Sequence, residues 1–309
     1  MTSKKEQAIV VSALKHAAPY IRLFKKKVFV IKAGGEIFAD PGQTSAFIEQ
    51  VGLLHQVGIR VVLIHGGGPQ STELATALGL DTQFIEGRRV TDGASLDVAT
   101  MVLNGQINTR ILAACRDLQI PAVGMSGVDA GLIRAHQRPP VERDGEDAVD
   151  YGYVGDIDGV DADVLRKQLD NGLMPVISPL SCDESGTLLN INADTVAAAI
   201  AAELDAEKLI LATGAAGILE DIKDPRSLIS YMDRAALKKL KTSGSLADGM
   251  LPKAAAIDAA LANGVHRVHV ISYKLADSLL LEVFTNEGTG TLVVDDTAAL
   301  SPAEQAGSS

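Results

Sequence analysis

The sequence predicts an α/β fold in which a mostly parallel sheet lies between layers of helices. Three observations predict it. Short runs of Val, Ile and Leu, cut off by Gly or Pro, alternate with longer stretches of helical period. Strands buried on both faces of a parallel sheet read as such unbroken apolar runs. Apolar residues fill 47% of the 309 positions, enough for a large core under one large domain or two lobes. Glycines follow three separate strand-like runs, at Gly34–Gly35, at Gly66–Gly68, and at Gly214 with Gly217.

The elements follow in order. Residues 7–24 place Ile9, Val10, Ala13, Leu14, Ala17, Ile21 and Phe24 near helical spacing, an amphipathic helix bent or restarted at Pro19. A strand over 27–35, a helix over 43–58, a strand over 59–68 and a helix from Pro69 to about Gly79 come next. Residues 94–117 read as helix, 121–127 and 174–180 as strands, and 193–206 as an Ala-rich helix. A strand and loop over 208–219, a helix over 250–264 and a strand over 267–273 complete the alternation. The polar, turn-rich residues 134–155 suit a hairpin or flap, and 221–248 read as a long connection that covers a ligand. The small, polar tail after Asp296 is expected to fray.

Charge and composition narrow the function classes. A formal net charge of −11 argues against a nucleic-acid or anionic-membrane surface. Cys115 and Cys182 lie far apart in apolar contexts, as structural thiols of a reducing compartment do, with no disulfide framework and no metal site. No apolar run reaches membrane length and the N-terminus lacks a signal-like apolar core. A soluble cytoplasmic enzyme is the expectation.

The stretch "VVLIHGGGPQ" (61–70) raises the sharper question of what passes so close to Gly66, Gly67 and Gly68. A tight turn alone explains many glycine runs. An anion held by bare backbone N–H groups explains them too, because such a site needs close backbone approach. Turns at the carboxyl ends of parallel strands gather on one edge, where ligands bind, so three glycine turns there suggest an anion-rich ligand such as a nucleotide. Neither a Walker-type loop nor a G-x-G-x-x-G turn opening a helix is present. Lys32 ends one strand and Lys253 begins an Ala-rich helix after a glycine-bearing loop. Alone, the first is a snorkelling side chain and the second a solvated one. Together they supply the cations that phosphoryl transfer needs around the moving group. Asp194 opens a helix, as a cap or first-turn acid does; between two lysines it would fix their ammonium groups.

Eight motifs in order, "VIKAGG", "LIHGGGPQ", "GRRVTD", "DYGYVGDI", "LLNINADTVAAAIA", "KLILATGAAGIL", "ADGMLPK" and "EGTGTLV", make the chain resemble the amino-acid kinase family over nearly its whole length. Within it the chain is similar to the N-acetylglutamate kinases. The resemblance implies a three-layer α/β sandwich of two lobes: a helix over 1–25 for oligomerisation, an acylamino-acid lobe over 26–185, an ATP lobe over 186–298 and a flexible tail over 299–309. It implies ATP, Mg²⁺ and N-acetyl-L-glutamate, with phosphorylation of the side-chain carboxylate. Lys32 and Lys253 would stabilise the moving phosphoryl group and Asp194 would hold both. Gly67, Gly68, Arg89 and Asn190 would bind the acid; Gly34, Gly35, Gly214, Gly217, Leu219 and Gly249 would bind the nucleotide. Arg88 beside Arg89 reads as a surface arginine. Gly214 stands where related kinases usually carry an aspartate.

Segments such as "GLLHQVGIR" and "GVHRVHVISYKLADSLLLEVF" also resemble the kinase-like domain of bacterial N-acetylglutamate synthases. That family carries an acetyltransferase domain, for which a chain ending at 309 is expected to be too short, and its kinase-like domain lacks the phosphoryl-transfer residues kept here. The resemblance further implies an arginine effector site at Lys208, His269, Glu282 and Gly288, and a homohexamer or dimer. A kinase for N-acetylaminoadipate and a non-catalytic arginine-sensing module partnering an acetyltransferase are the alternatives.

Overall fold

The computed structural model describes residues 3–85, 88–143, 146–221, 224, 226–244, 246, 248–286 and 288–297. Eight strands form the central sheet: Val28–Ala33 (β1), Arg60–His65 (β2), Ala122–Ser126 (β3), Met174–Ser178 (β4), Lys208–Thr213 (β5), Tyr231–Asp233 (β6), Val268–Ser272 (β7) and Thr291–Val294 (β8). Their spatial order is β6-β8-β7-β5-β1-β2-β4-β3. All neighbours pair in parallel except β7 with β8.

Alternation along β1 and β2 splits the core in two. Phe29, Ile31, Val61 and Leu63 point to one face, where helices α2 (Pro41–Gln56) and α5 (Thr109–Asp117) bring Ile48, Val51, Leu54 and Ile111. Val30, Val62 and Ile64 point to the other, against α7 (Ala193–Glu203) and α9 (Leu251–Ala262) with Val196, Ala197, Ile200 and Ile257. The alanines read as propensity in sequence let these two helices approach each other and the sheet closely.

Several boundaries depart from expectation. Helix α1 runs unbroken over Lys4–Phe24, through Pro19. The proline removes one hydrogen bond, to Lys15, from a helix of 21 residues that a Ser3–Glu6 capping box secures at its start. Residues 94–117 are not a plain α-helix, since Met101–Asn108 winds as a π-helix between α4 (Gly93–Thr100) and α5. The long connection over 221–248 holds β6 and helix α8 (Arg234–Thr242). Four basic residues in α8, with Leu237 buried beneath them, hide its period. The short α6 (Ala162–Asp170) and α10 (Ser278–Phe284) also escape sequence reading. The tail over 299–309 lies outside the described residues.

The hairpin expected within 134–155 is present. Strands Val141–Arg143 and Glu146–Val149 pair antiparallel beyond a smaller sheet that includes Ile133–Gln137 and Gly155–Val160. Its base is tied to the core chain at Thr91, which accepts from Tyr153 N–H at 2.7 Å and donates its own N–H to Tyr151 at 2.9 Å.

Candidate active site

Parallel register brings three strand ends to one edge. Lys32 lies opposite Ile64 and Leu211, and Ala33 opposite His65 and Ala212, so the turns after β1, β2 and β5 emerge side by side. They wall a cavity of about 270 Å³ lined by Lys32, the Gly34–Gly35 and Gly66–Gly68 turns, Arg89, Asn190, Asp194, Gly214 and Lys253. A second cavity of about 480 Å³ continues past Gly68, Arg89 and Asn190 to Phe84 and Arg138.

The glycine run has two different causes. A Cβ at Gly67 would fall 2.6 Å from Ile107 and 2.7 Å from Leu103 of the π-helix, so packing forbids it. Gly35 is as constrained, since its Cβ would stand 2.8 Å from the Gly67 Cα. Gly68 meets nothing within 4 Å and faces the cavity. There α3 (Gly68–Ala77) begins, and its free N–H groups give that wall a positive end. Gln70 clamps the two turns by donating to Gly35 O at 2.6 Å.

The charged centre is built from three elements. Lys32 Nζ lies 2.9 Å from Asp194 Oδ1, an ion pair without hydrogen-bond alignment, and Lys253 Nζ donates to Asp194 Oδ2 at 3.2 Å. Asn192, not Asp194, caps α7 by accepting from the N–H groups of Asp194 and Thr195. That leaves both Asp194 oxygens to the lysines. Burial raises the Asp194 pKa, and the two ammonium groups more than reverse it, holding the carboxyl below the ordinary range. Burial, then Lys32, lowers the Lys253 pKa against the opposing pull of Asp194 and Glu36. One carboxylate thus keeps two cations together beside bare backbone.

Arg89 is half-buried, donates to Thr72 Oγ1 at 2.6 Å and Gly68 O at 3.0 Å, and stacks 4.9 Å from the Phe84 ring centroid. Asn190 donates to Thr91 Oγ1 at 3.3 Å, on the strand edge that also carries the hairpin base. Arg88 lies outside the residues whose side chains are described. Gly217, Leu219 and Gly249 do not line the cavity. Gly217 packs against Leu228 and Thr291, Leu219 bridges to Leu228, and Gly249 sits in the turn before α9.

Sequence reading passed over Gln70, Glu36 and Arg138. Glu36 folds its carboxylate over Gly34 within range of Lys253 and Tyr273. Arg138 holds Asp156 through Nε at 3.1 Å and Nη2 at 2.6 Å and lies 5.7 Å from the Tyr151 ring, bracing the hairpin at the larger cavity. Arg138 is one of three arginines, with Arg134 and Arg143, in the turn-rich residues 134–155, so nothing local marked it out. Among the described residues, no group of three His, Cys, Asp or Glu is placed to hold a metal ion, and the cavity's Asp194 is taken by the lysines. Both cysteines are free; burial pushes the Cys115 thiol up to about 11. Among the described residues no helix is long and apolar enough to cross a membrane.

Lys208, His269, Glu282 and Gly288 meet elsewhere, in a cavity of about 420 Å³ between the end of α1 and the strands β5 and β7. Lys208 Nζ lies 3.0 Å from His269 Nε2, and His269 Nδ1 lies 2.6 Å from Glu282 Oε1. An ammonium only donates, so His269 is neutral with its proton on Nδ1. Burial, then Lys208, pushes His269 down to about 4. Burial alone would raise Glu282, but hydrogen bonds and charge hold it down at about 2.

His65, fully buried with Asn108 at 3.2 Å from Nε2, is likewise pushed down to about 4 by burial. A folded-state pKa below the unfolded value of 6.5 means that protons favour the unfolded chain. Each histidine therefore contributes roughly 3 kcal/mol above pH 6.5 that is lost as pH falls towards 4. Urea unfolding followed from pH 7.5 to 4.5 is expected to show this fall; a flat profile would show that the two imidazoles are protonated as readily in the fold as outside it.

Strand-end glycines facing two lysines on a shared carboxylate suit the transfer of an anionic group, and the chain belongs to the amino acid kinase family, whose model matches residues 27–272. An acetylglutamate kinase of Myxococcus xanthus is 47% identical over 292 residues, 93% of this chain and 95% of that protein. Two solved structures of N-acetylglutamate synthase from Neisseria gonorrhoeae superpose with TM-score 0.81 over 93% of this chain. One is complexed with coenzyme A and N-acetyl-glutamate (32% identical), the other with coenzyme A and L-arginine (30% identical). The chain spans 64% and 65% of those two synthase chains.

Proposed function

We propose that this chain transfers the γ-phosphoryl group of ATP to the side-chain carboxylate of N-acetyl-L-glutamate, giving an acyl phosphate in arginine biosynthesis. The observation that carries the reading is the Lys32–Asp194–Lys253 bracket, set among three glycine turns on one sheet edge. Near-full-length similarity to an acetylglutamate kinase supports the substrate. A carboxylate attacking a polyanion meets repulsion, and two ammonium groups at the line of attack offset it. Lys32 and Lys253 take up charge on the transferring oxygens; Asp194 keeps them in place. Backbone N–H groups at Gly34, Gly35, Gly67 and Gly68 add dipoles without net charge.

Arg89, beside Phe84 at the junction of the two cavities, takes the α-carboxylate through its planar fork, and Asn190 bonds the α-substituents. Residues 26–185 then mainly serve the acid and 186–298 the nucleotide, with Asn190 reaching the acid from the second lobe and the Gly34–Gly35 turn reaching the nucleotide from the first. Gly214 lies at the nucleotide end; Gly217, Leu219 and Gly249 act there only by shaping the loops. Mg²⁺ enters as part of the substrate MgATP, held by phosphates and water, because Asp194 is already engaged. A cytoplasmic setting suits the free thiols.

ADP release measured with N-acetylglutamate, N-acetylaminoadipate, glutamate and aspartate tests the reading. N-acetylglutamate should give the highest kcat/KM. Preference for the longer acid would move the assignment by one methylene, and no ATP turnover with any acid would favour the arginine-sensing module that the synthase likeness also supports.

Regulation is part of the proposal. Ile9, Val10 and Leu14 of α1 are 60%, 67% and 66% exposed, an apolar stripe suited to a second copy of the chain in a dimer or hexamer. Glu282 offers a buried carboxylate for a guanidinium near Lys208, His269 and Gly288, and Tyr20 and Phe24 of the same helix close that cavity. Arginine bound there is positioned to act on the assembly as an inhibitor. Sedimentation with and without residues 1–25, with activity titrated against arginine, addresses both parts. Unchanged particle size would remove α1 from the assembly, and unchanged activity would leave the four residues structural.

A further inference from the structure

The loops leaving β5 and β7 run side by side. Thr213 pairs with Ser272, Tyr273 N–H donates to Thr213 O at 3.0 Å, and Lys274 N–H donates to Ser272 Oγ at 3.3 Å. This register sets Tyr273 and Lys274 against Gly214, a residue of the cavity wall. A Cβ at position 214 would stand 3.5 Å from the Tyr273 hydroxyl and 3.6 Å from both Cε and Nζ of Lys274. The ammonium thus lies at the rim, across bare backbone from the cavity.

Its charge matters there. Lys32 and Lys253 share the cavity with Asp194 and Glu36, two cations against two carboxylates. Arg89 stands on the wall shared with the larger cavity, away from Gly214. The nucleotide end is therefore close to neutral until Lys274 is counted, and Lys274 has no ion-pair partner among the described residues. A polyphosphate brings several negative charges to that end.

We propose that Lys274 is a ligand of the nucleotide's non-transferred phosphates, reaching them across Gly214. The inference rests on the kinase reading above and adds a residue to it. Lys274 is remote from the Lys32–Asp194–Lys253 bracket in role: it holds the donor and does not stabilise the moving group. Gly214 serves it by leaving the space between ammonium and phosphate unfilled.

The test uses the full chain and the variants Lys274→Met, Lys274→Arg and Gly214→Asp. Steady-state KM values are measured for ATP and for the acid, and ADP and adenosine binding are measured by titration calorimetry. Lys274→Met is expected to raise the KM for ATP and the Kd for ADP about ten-fold, the size of one charge-assisted hydrogen bond at an exposed rim. Adenosine binding and the KM for the acid should stay within two-fold, and Lys274→Arg should recover most of the loss. Gly214→Asp should weaken ADP to a similar degree, because its carboxylate would pair with the ammonium and face the phosphates. ADP and ATP values within two-fold of the parent in Lys274→Met, with turnover intact, overturn the inference and leave the kinase reading standing. Equal weakening of adenosine also overturns it, assigning Lys274 to the nucleoside or to loop structure. Absence of ADP binding and ATP turnover in the parent chain sinks both.

Discussion

Asp194→Ala is expected to remove turnover and stability together. The change leaves Lys32 and Lys253, with side chains 7% and 17% exposed, facing each other without a carboxylate. Breaking a buried ion pair on one side costs about 3–5 kcal/mol, because the remaining charge is left unpaired. A lysine that sheds its proton limits that loss and, by the same step, gives up the cation that transfer requires. The expected kcat falls by at least about 1,000-fold, since both lysines lose position and one loses charge. Asp194→Asn separates the two effects: it keeps the shape and one acceptor, so it should recover part of the stability and little of the rate. Urea unfolding and ADP release on the same samples read both quantities. A Asp194→Ala chain that is as stable and as active as the parent would reduce Asp194 to an ordinary first-turn acid.

Lys253→Ala carries the second large effect, on rate alone. Asp194 keeps Lys32 as a partner at 2.9 Å, so no charge is stranded and the fold should persist. Removal of one electrostatic contact to a transferring group typically costs about 100- to 1,000-fold in kcat. The KM values for ATP and the acid should move far less, because the contact strengthens only as charge develops. Near-normal kcat would return Lys253 to the solvated helix surface that its position alone suggests.

What the sequence disclosed, and what it hid, follows the range of each interaction. The glycine turns and Lys32 were legible because strand ends write themselves locally, as apolar run then glycine, and parallel register does the rest. Asp194 and Lys253 were legible as candidates because each begins a helix, Lys253 after a glycine-bearing loop. Their 59-residue separation closes only in the fold. Gln70 was invisible: its partner, Gly35 O, lies 35 residues away, and nothing in "GPQST" marks a side chain that reaches back to another strand's turn. Arg138 was hidden in residues read as a hairpin or flap, and Lys274 just past the end of a strand read over 267–273. The π-helical turn of Met101–Asn108 is set by the same contacts, since Leu103 and Ile107 must reach Gly67 while Asn108 reaches His65. Helix α8 vanished for a different reason, its charge outweighing the single buried leucine that gives it a period.

If the bracketed lysines pass a phosphoryl group to a carboxylate, the product is an acyl phosphate. Hydroxylamine trapping during turnover detects it, because an acyl phosphate reacts to a hydroxamate whereas free phosphate does not. With ATP, Mg²⁺ and N-acetyl-L-glutamate, hydroxamate is expected in step with ADP, dependent on both substrates and lost in Lys253→Ala. ADP released with inorganic phosphate and no hydroxamate, at trapping concentrations that capture a synthetic acyl phosphate, would contradict that transfer.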